Sequence, residues 1–543
     1  MNKILFLFFT CLLFSACSTH TDKITVSIKQ PVLPVLTLKE TNPVLKLELI
    51  RNQDISYSLQ SCSFSLQGTT DIHDVESISI YHANAKGFID PQKAIQSLTE
   101  ISENITLDVT IPIEVDTLPL WVSLKLRNKV DLTHRFHISC TDIKTTEGNI
   151  FIPVADNVSL RTGVAVRKTM QDGVHTSRIP GLATSKKGTL LAIYDARYEM
   201  SRDLQGHIDI CLNRSMDGGQ TWQPIQVVLD MKEWGGLPEK YNGVSDANIL
   251  VDERTGDIYV AGLWMYGVLD KETGKWVPGM TKDSTRWIHQ WHAKGSQPGF
   301  GVKETSQFII AKSTDDGETW SEPINITAKT KRKEWWLYAP APGHGITLED
   351  GTLVFPTQGR DKTGKAFSNI TWSKDGGKTW TTSNPAFDDV TECMAVQLSD
   401  GSIMLNMRDN RNRGNKEVNG RRICVTKDLG NSWIEHPTSR KALIEPTCMA
   451  SIHKHIYQQN GERKSMLLFA NPESHSKRDH ITLKVSYDDG NTWPEEKKIL
   501  LDEYSGRGYS CITSVDENTI GILYESSQAD MVFQQIKLQE LLP

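Results

Sequence analysis

Four arginines stand at the ends of apolar runs, and they are the first residues in this sequence whose types and places suggest shared chemistry. Arg178 directly precedes Ile179-Pro180. Arg197 closes Ile193-Tyr194-Asp195-Ala196, Arg408 closes Met404-Leu405-Asn406-Met407, and Arg478 lies just ahead of Ile481–Val485. A lone arginine is ordinarily a surface residue. Several at equivalent strand ends of one closed fold can instead converge on an anion, because the planar guanidinium grips a carboxylate with two parallel hydrogen bonds.

Such convergence needs a fold that gathers distant strand ends. A repeated phrase, S/T-x-D-x-G-x-T/S-W, points to one. It stands at Ser215–Trp222, Ser313–Trp320, Ser373–Trp380, Thr426–Trp433 and Ser486–Trp493, with its aspartates 98, 60, 53 and 60 residues apart. A period of this size marks a repeat architecture. Within each copy the aspartate caps backbone N–H groups, glycine takes the positive-φ position, and Thr-Trp opens the next strand. Alternating apolar residues precede the turn, as in His207–Ile210 and Ile481–Val485. The repeat therefore reads as a hairpin, and a series of such hairpins as the blades of a β-propeller. Gly188–Tyr194, Gly351–Phe355, Gly401–Leu405 and Thr519–Glu525 each follow a turn signal and are expected to supply an inner-blade strand. The long interval from Asp217 to Asp315 has room for a blade whose own repeat has decayed, so six blades are expected. The phrase itself is scaffold.

No copy occurs between residues 24 and 152, where short alternating strands such as Leu45–Leu49 and Leu120–Leu124 predict a β-sandwich. Its aromatics are scattered, which suits a packed accessory module as well as a carbohydrate-binding one. The expected fold class is all-β: a six-bladed β-propeller over 155–543 preceded by an N-terminal β-sandwich. Residues 1–17 read as a targeting segment, with Lys3, the apolar run Ile4–Phe14 and then Ser15-Ala16-Cys17. The run is too short to span a bilayer. Small residues before a cysteine resemble the bacterial lipoprotein box, which implies lipidation of Cys17, export and an outer-membrane anchor facing the periplasm or the exterior. A plain secretory signal is the alternative. Membrane contact is expected only through that lipid.

The net charge of −6 carries no long run of one sign, so no nucleic-acid partner is expected. The cysteines after Cys17, at 62, 140, 211, 393, 424, 448 and 511, form no CxxC pair and no zinc spacing; most read as buried free thiols, with a Cys62–Cys140 bridge as the alternative for that pair. His453 and His455 have no metal spacing and read as surface residues. No cofactor and no metal is expected.

The ordered set Arg178-Ile179-Pro180, the five Asp boxes, Tyr194–Tyr198 followed by Asp203, Glu392 ahead of Met404–Arg408, Asn471-Pro472 before Arg478, and Tyr509-Ser510 ahead of Leu523-Tyr524-Glu525 resembles the bacterial exo-α-sialidases (neuraminidases). The likeness covers about residues 155 to 543. One departure is Ser177, where the family usually carries an aromatic residue; this changes packing behind Arg178 without removing it. The resemblance implies that Arg178, Arg408 and Arg478 grip the sialic acid carboxylate. It implies Tyr509 as nucleophile, Glu392 as its base and Asp203 as acid/base, with Arg197 and Asp246 lining the pocket near the sugar's 4-hydroxyl. Trp264, Trp287, Trp291, Trp335 and Trp336 could shape a pocket for the acyl and glycerol groups, or be structural. Sialylated glycoproteins, glycolipids and oligosaccharides are the implied partners.

These roles make chemical sense. Sialic acid carries its carboxylate on the anomeric carbon, so an anionic nucleophile would approach against charge. A neutral phenol avoids that repulsion, and sialidases with a tyrosine nucleophile depart from the two-carboxylate pattern for this reason. A phenol with a pKa near 10 needs a carboxylate beside it to take its proton. Asp203 must donate a proton in one step and accept one in the next, so a raised pKa is expected. The competing reading is a sialic-acid-binding lectin on a degenerate propeller. It leaves Tyr509, Glu392 and Asp203 together unexplained.

Overall fold

Each Asp-x-Gly turn closes the hairpin between the third and fourth strands of a blade, counted outward from a central axis. The structure, a computed structural model, describes residues 23–52, 56–153, 158–204, 206–235, 238–266, 268–273, 285–289, 296–302, 305–414 and 419–543. Residues 1–22, with the apolar run and Cys17, lie outside the described residues.

The described strands build six blades. The first runs Thr176–Thr184, Leu190–Arg197, Ile208–Ser215 and Gln226–Leu229 from the axis outward; the fourth runs Val390–Gln397, Ile403–Asp409, Arg422–Thr426 and Ile434–Glu435. The segments expected as inner strands are thus second from the axis. The sixth blade is closed by both ends of the propeller: Ser510–Asp516, Thr519–Tyr524 and Met531–Lys537 are followed outward by Leu160–Arg167. Its third and fourth strands are therefore not consecutive, and no turn joins them.

This corrects one expectation. Six blades carry five Asp boxes because the sixth has no turn to hold one, not because a repeat decayed between Asp217 and Asp315. That interval holds the first two strands of the second blade, Asn242–Val251 and Ile258–Tyr266, before its own box at Asp315.

The box geometry recurs in detail. The Ser or Thr at its head accepts from the glycine amide four residues on, at 2.8–2.9 Å. The aspartate accepts from the amide of the Thr or Ser four residues after it, at 2.8–3.0 Å. The residue between Asp and Gly also has positive φ, including Leu429 at 55°, a local strain that the capping bonds hold in place. Each box docks on the blade before it. Gln535 donates to the Gly218 carbonyl (2.7 Å), Thr189 to Asp316 (2.6 Å), Tyr259 to the Gly376 carbonyl (2.8 Å) and Thr438 to the Gly490 carbonyl (3.3 Å).

Hydrogen bonds from the Thr319 hydroxyl, its amide and Ser313 hold Asp315 down at about 2. A depressed folded-state pKa means stability present above the ordinary value near 4 and lost as pH falls toward 2. Asp315→Asn is expected to lower the thermal midpoint at pH 7 by about 1–2 °C. It should also flatten the acid limb of melting midpoint against pH and leave turnover unchanged.

Blade strands are buried on both faces by neighbouring blades, so Leu190–Arg197 is buried at every position. The N-terminal strand Asn104–Ile113 instead alternates exposed and buried residues without a break, as a half-covered antiparallel sheet requires. It belongs to a four-stranded sheet packed on a five-stranded one, around Leu47, Phe64, Ile78, Leu120 and Val122. Two short pieces leave this sandwich for the propeller: Val35–Thr37 and Arg135–Phe136 both pair with Leu160–Arg167. Cys62 and Cys140 are free, as are the five propeller cysteines, and all seven are buried.

Candidate active site

Consecutive strands of a blade are antiparallel, so the start of the first strand and the end of the second share one mouth of the axis. Arg178 lies near the start of the Thr176–Thr184 strand, Asp246 within Asn242–Val251, Glu392 near the start of Val390–Gln397, and Tyr509 directly before Ser510–Asp516. Arg197 and Arg408 sit at the ends of second strands, and Asp203 and Arg478 in loops of the same mouth.

Tyr509 is the centre of the arrangement. Its side chain is buried, its hydroxyl donates to Glu392, and it accepts from Arg408 Nη1 at 3.2 Å. Arg408 Nη1 also lies 2.5 Å from Glu392 Oε2. The guanidinium carbons of Arg178 and Arg478 stand 5.3 and 5.6 Å from the Tyr509 ring centre. Three arginines from the first, fourth and fifth blades therefore surround one tyrosine of the sixth. Burial pushes the phenol well above its ordinary range and Glu392 adds to this, against Arg408 and Arg478. The resting phenol keeps its proton, with the carboxylate already in place to receive it.

Arg178 is aimed by strain and by a carboxylate. Ile179 has a φ of 63°, costly for a β-branched residue, at a bulge in the pairing with the second strand. Glu525 accepts from Arg178 Nε at 2.8 Å and Nη2 at 3.1 Å, and from the amides of Ile179 and Tyr509 at 3.0 and 3.1 Å. One buried carboxylate thus positions both the arginine and the tyrosine. Of the adjacent cations, Arg478 turns inward and donates to the Arg507 carbonyl at 2.9 Å, while Lys477 is exposed.

Asp203 departs from expectation. Partial desolvation by the surrounding protein would raise it, but Arg197 and Arg178 overcome that and hold it below the ordinary carboxylate range. Arg197 Nη1 is 2.6 Å away and Arg178 Nη1 3.9 Å. The side chain is 59% exposed, so it lies at the solvent-facing edge of this group. Arg197 spends its other donors on Asp195 and the Ser201 carbonyl, so it holds the Asp203 loop rather than facing the pocket unpaired. Asp195 is fully buried and pushed up to about 6 by that burial, with Arg197 and a 2.5 Å bond from Ser245 acting against it. Asp246, at a φ of 59°, accepts from Gln358 at 2.9 Å; burial and the neighbouring Glu392, Asp195 and Asp203 raise it strongly.

The structure brings all eight proposed site residues to one mouth. The roles of Glu525 and Gln358 were missed. A carboxylate closing the apolar run Ile520–Tyr524 was the available signal for Glu525; nothing marked Gln358. Trp264 and Trp335 are core residues with exposures of 2% and 4%, and Trp336 is half-buried. The Trp287 side chain and Trp291 lie outside the described residues. His455 is fully buried and His453 half-buried, both hydrogen-bonded to Ser514, which corrects their reading as surface residues.

Comparison with known proteins identifies the family. The BNR repeat-like domain matches over residues 179–525, and the N-terminal domain of BNR-repeat neuraminidase over residues 23–104. A sialidase from Bacteroides fragilis is 37% identical over the whole length of both chains. The chain belongs to the sialidase family. It is accordingly a glycoside hydrolase. A sialidase from Micromonospora viridifaciens is 31% identical over 65% of this chain and 50% of its own length. The solved structure of the Hadza microbial sialidase Hz136 is 33% identical with a TM-score of 0.84, covering 95% of this chain and all of that one. Trypanosoma rangeli sialidase, at 21% identity and a TM-score of 0.51 over 70% of this chain and 60% of its own, shares the fold.

Proposed function

We propose that the protein is a retaining exo-α-sialidase that removes terminal sialic acid from glycoproteins, glycolipids and oligosaccharides. The observation that carries this is the buried Tyr509 hydroxyl donating to Glu392 inside a ring of three arginines. Arg178, Arg408 and Arg478 would take the substrate carboxylate, placing the anomeric carbon over the phenol oxygen. In the first displacement the Tyr509 oxygen bonds to that carbon, its proton passes to Glu392, and the glycosidic oxygen leaves with the proton of Asp203. In the second, water gives a proton to Asp203 and attacks the same carbon; the bond to Tyr509 breaks and Glu392 returns the proton. Two inversions give retention. The named sialidases among its relatives support the substrate class. Time-resolved NMR of the released sugar tests the reading: the α anomer is expected first, and initial release of the β anomer would exclude a tyrosyl intermediate. Lactose added as acceptor separates hydrolysis from transfer.

The acid role of Asp203 makes two further predictions. Leaving groups of low pKa need little protonation, so Asp203→Ala should cost about 10²–10⁴-fold on a sialyl-lactose but under about 10-fold on a 4-nitrophenyl sialoside. The free protein holds Asp203 below its ordinary pKa. A bound carboxylate that engages Arg178 would relax that hold. The alkaline limb of kcat is therefore expected at higher pH than that of kcat/KM, since the two report the complex and the free protein respectively. Coincident limbs would sink this account of Asp203.

A further inference from the structure

The opposite mouth of the propeller holds a second assembly of polar residues that the reaction does not use. A cavity of about 510 Å³ opens there, lined by the far ends of inner strands, including Thr184, Val251, Gln397 and Thr513. Two of its lining residues are His344, on the Gly343–His344 strand, and His453, on the innermost strand of the fifth blade. Their ring centres are 5.5 Å apart with the planes at 84°.

Hydrogen bonds assign both tautomers. His344 Nδ1 lies 3.0 Å from the Gly345 carbonyl, which can only accept, so Nδ1 carries the proton. His344 Nε2 is then a bare lone pair; it is buried and has no partner, in a residue that is only 5% exposed. His455 Nε2 donates to the Glu517 carbonyl at 3.1 Å, so its Nδ1 accepts the Ser514 hydroxyl proton at 2.7 Å. The Ser514 oxygen must therefore accept from His453 Nε2 at 2.9 Å, which leaves His453 Nδ1 as the second lone pair. Burial favours the neutral ring at both positions, and for His453 the neighbouring His344 and His455 add to it.

We infer that His344 and His453 form a binding site for one borderline divalent transition-metal ion, of the Zn²⁺, Co²⁺ or Ni²⁺ class, at the mouth opposite the active site. Neutral imidazole is the ligand such ions select, whereas Mg²⁺ and Ca²⁺ require oxygen cages. With metal–nitrogen bonds of about 2.0–2.1 Å and a tetrahedral angle, two imidazole ring centres fall roughly 5–5.5 Å apart, which is the spacing seen. The second partner of each ring, a backbone carbonyl for His344 and Ser514 for His453, fixes its orientation as metal-binding imidazoles require. Water from the cavity would fill the open positions. The ion would tie the fifth blade to the Gly343–His344 strand, whose backbone pairs with Asn248–Ile249 of the second.

The test titrates untagged, metal-stripped full-length protein with Zn²⁺ by calorimetry at pH 7.5, and with Co²⁺ by visible absorption. One ion per chain is expected, with a tetrahedral Co²⁺ band. His344→Gln and His453→Gln should each weaken it at least 30-fold while sialoside turnover in chelator stays at the starting value. His207→Ala is the control, because His207, Asp230 and Glu239 are the one set of three ligating side chains among the described residues with ligand atoms within 4.8 Å. It should leave the site intact. Absence of binding by the starting protein, binding that survives both glutamine variants, or binding lost only in His207→Ala would overturn the inference. Unchanged turnover establishes that the variants are folded, and either one alone suffices as a readout.

Discussion

Tyr509→Phe is expected to lower turnover of a sialoside by roughly 10³-fold or more with little change in ground-state binding. The substitution removes one oxygen. The aromatic ring on which Arg178 and Arg478 rest stays, so the cationic pocket keeps its shape. What is lost is the atom that donates to Glu392 and accepts from Arg408. A neutral phenol is a weak nucleophile at pH 7, and its activation by an adjacent base is worth on the order of 10²–10⁴-fold. Losing the proposed nucleophile outright is expected to cost at least that, with residual turnover retained through charge stabilisation by the arginines. A competitive inhibitor carrying the carboxylate should bind within a few-fold of its starting affinity. Undiminished turnover would remove Tyr509 from the mechanism; affinity lost in parallel with turnover would make it a structural residue.

Glu525→Ala should have the largest effect on stability. Its carboxylate is buried, satisfies two guanidinium donors and two backbone amides, and joins the first blade to the sixth. Removing it strands the Arg178 charge and both amides away from water. Breaking a buried pair from one side costs about 3–5 kcal/mol, because the remaining charge stays desolvated. Arg178 would also lose its aim, so kcat/KM should fall about 100-fold or more in whatever fraction folds. Burial pushes Glu525 up, but Arg178 and the two amides hold it below its ordinary value. Its contribution is therefore present above the unfolded pKa near 4.5 and is lost as pH falls through the lower folded value. The variant's melting midpoint should be less steep on the acid side. A variant as stable as the starting protein would mean that Arg178 is positioned by the Ile179 bulge alone.

Local chemistry was legible and long-range chemistry was not. The Asp box could be recognised because every bond that defines it lies within four residues, from Ser373 to Gly377 and from Asp375 to Thr379. That the same turn docks on the preceding blade could not be read, since Tyr259 and Gly376 are 117 residues apart. The blade count came out right for a wrong reason, because the sixth blade is assembled from Leu160–Arg167 and Met531–Lys537, which no local pattern connects. His453 looked like a surface residue, since only the tertiary fold brings Ser514 and His344 beside it.

The site divides in the same way. Residue types and order alone pointed to an all-β repeat fold, a set of arginines suited to an anion and, through family resemblance, the tyrosine and carboxylates expected beside them. Tertiary structure decided the charges those groups carry. Arg197 folds onto Asp203 and depresses the carboxyl that chemistry asks to be raised, and Glu525 sets the direction of Arg178 and the height of Tyr509. The physical reason is that a side chain's type is a property of one position. Its protonation and aim depend on burial and on charges within a few ångströms, and here those neighbours come from residues up to 347 positions away.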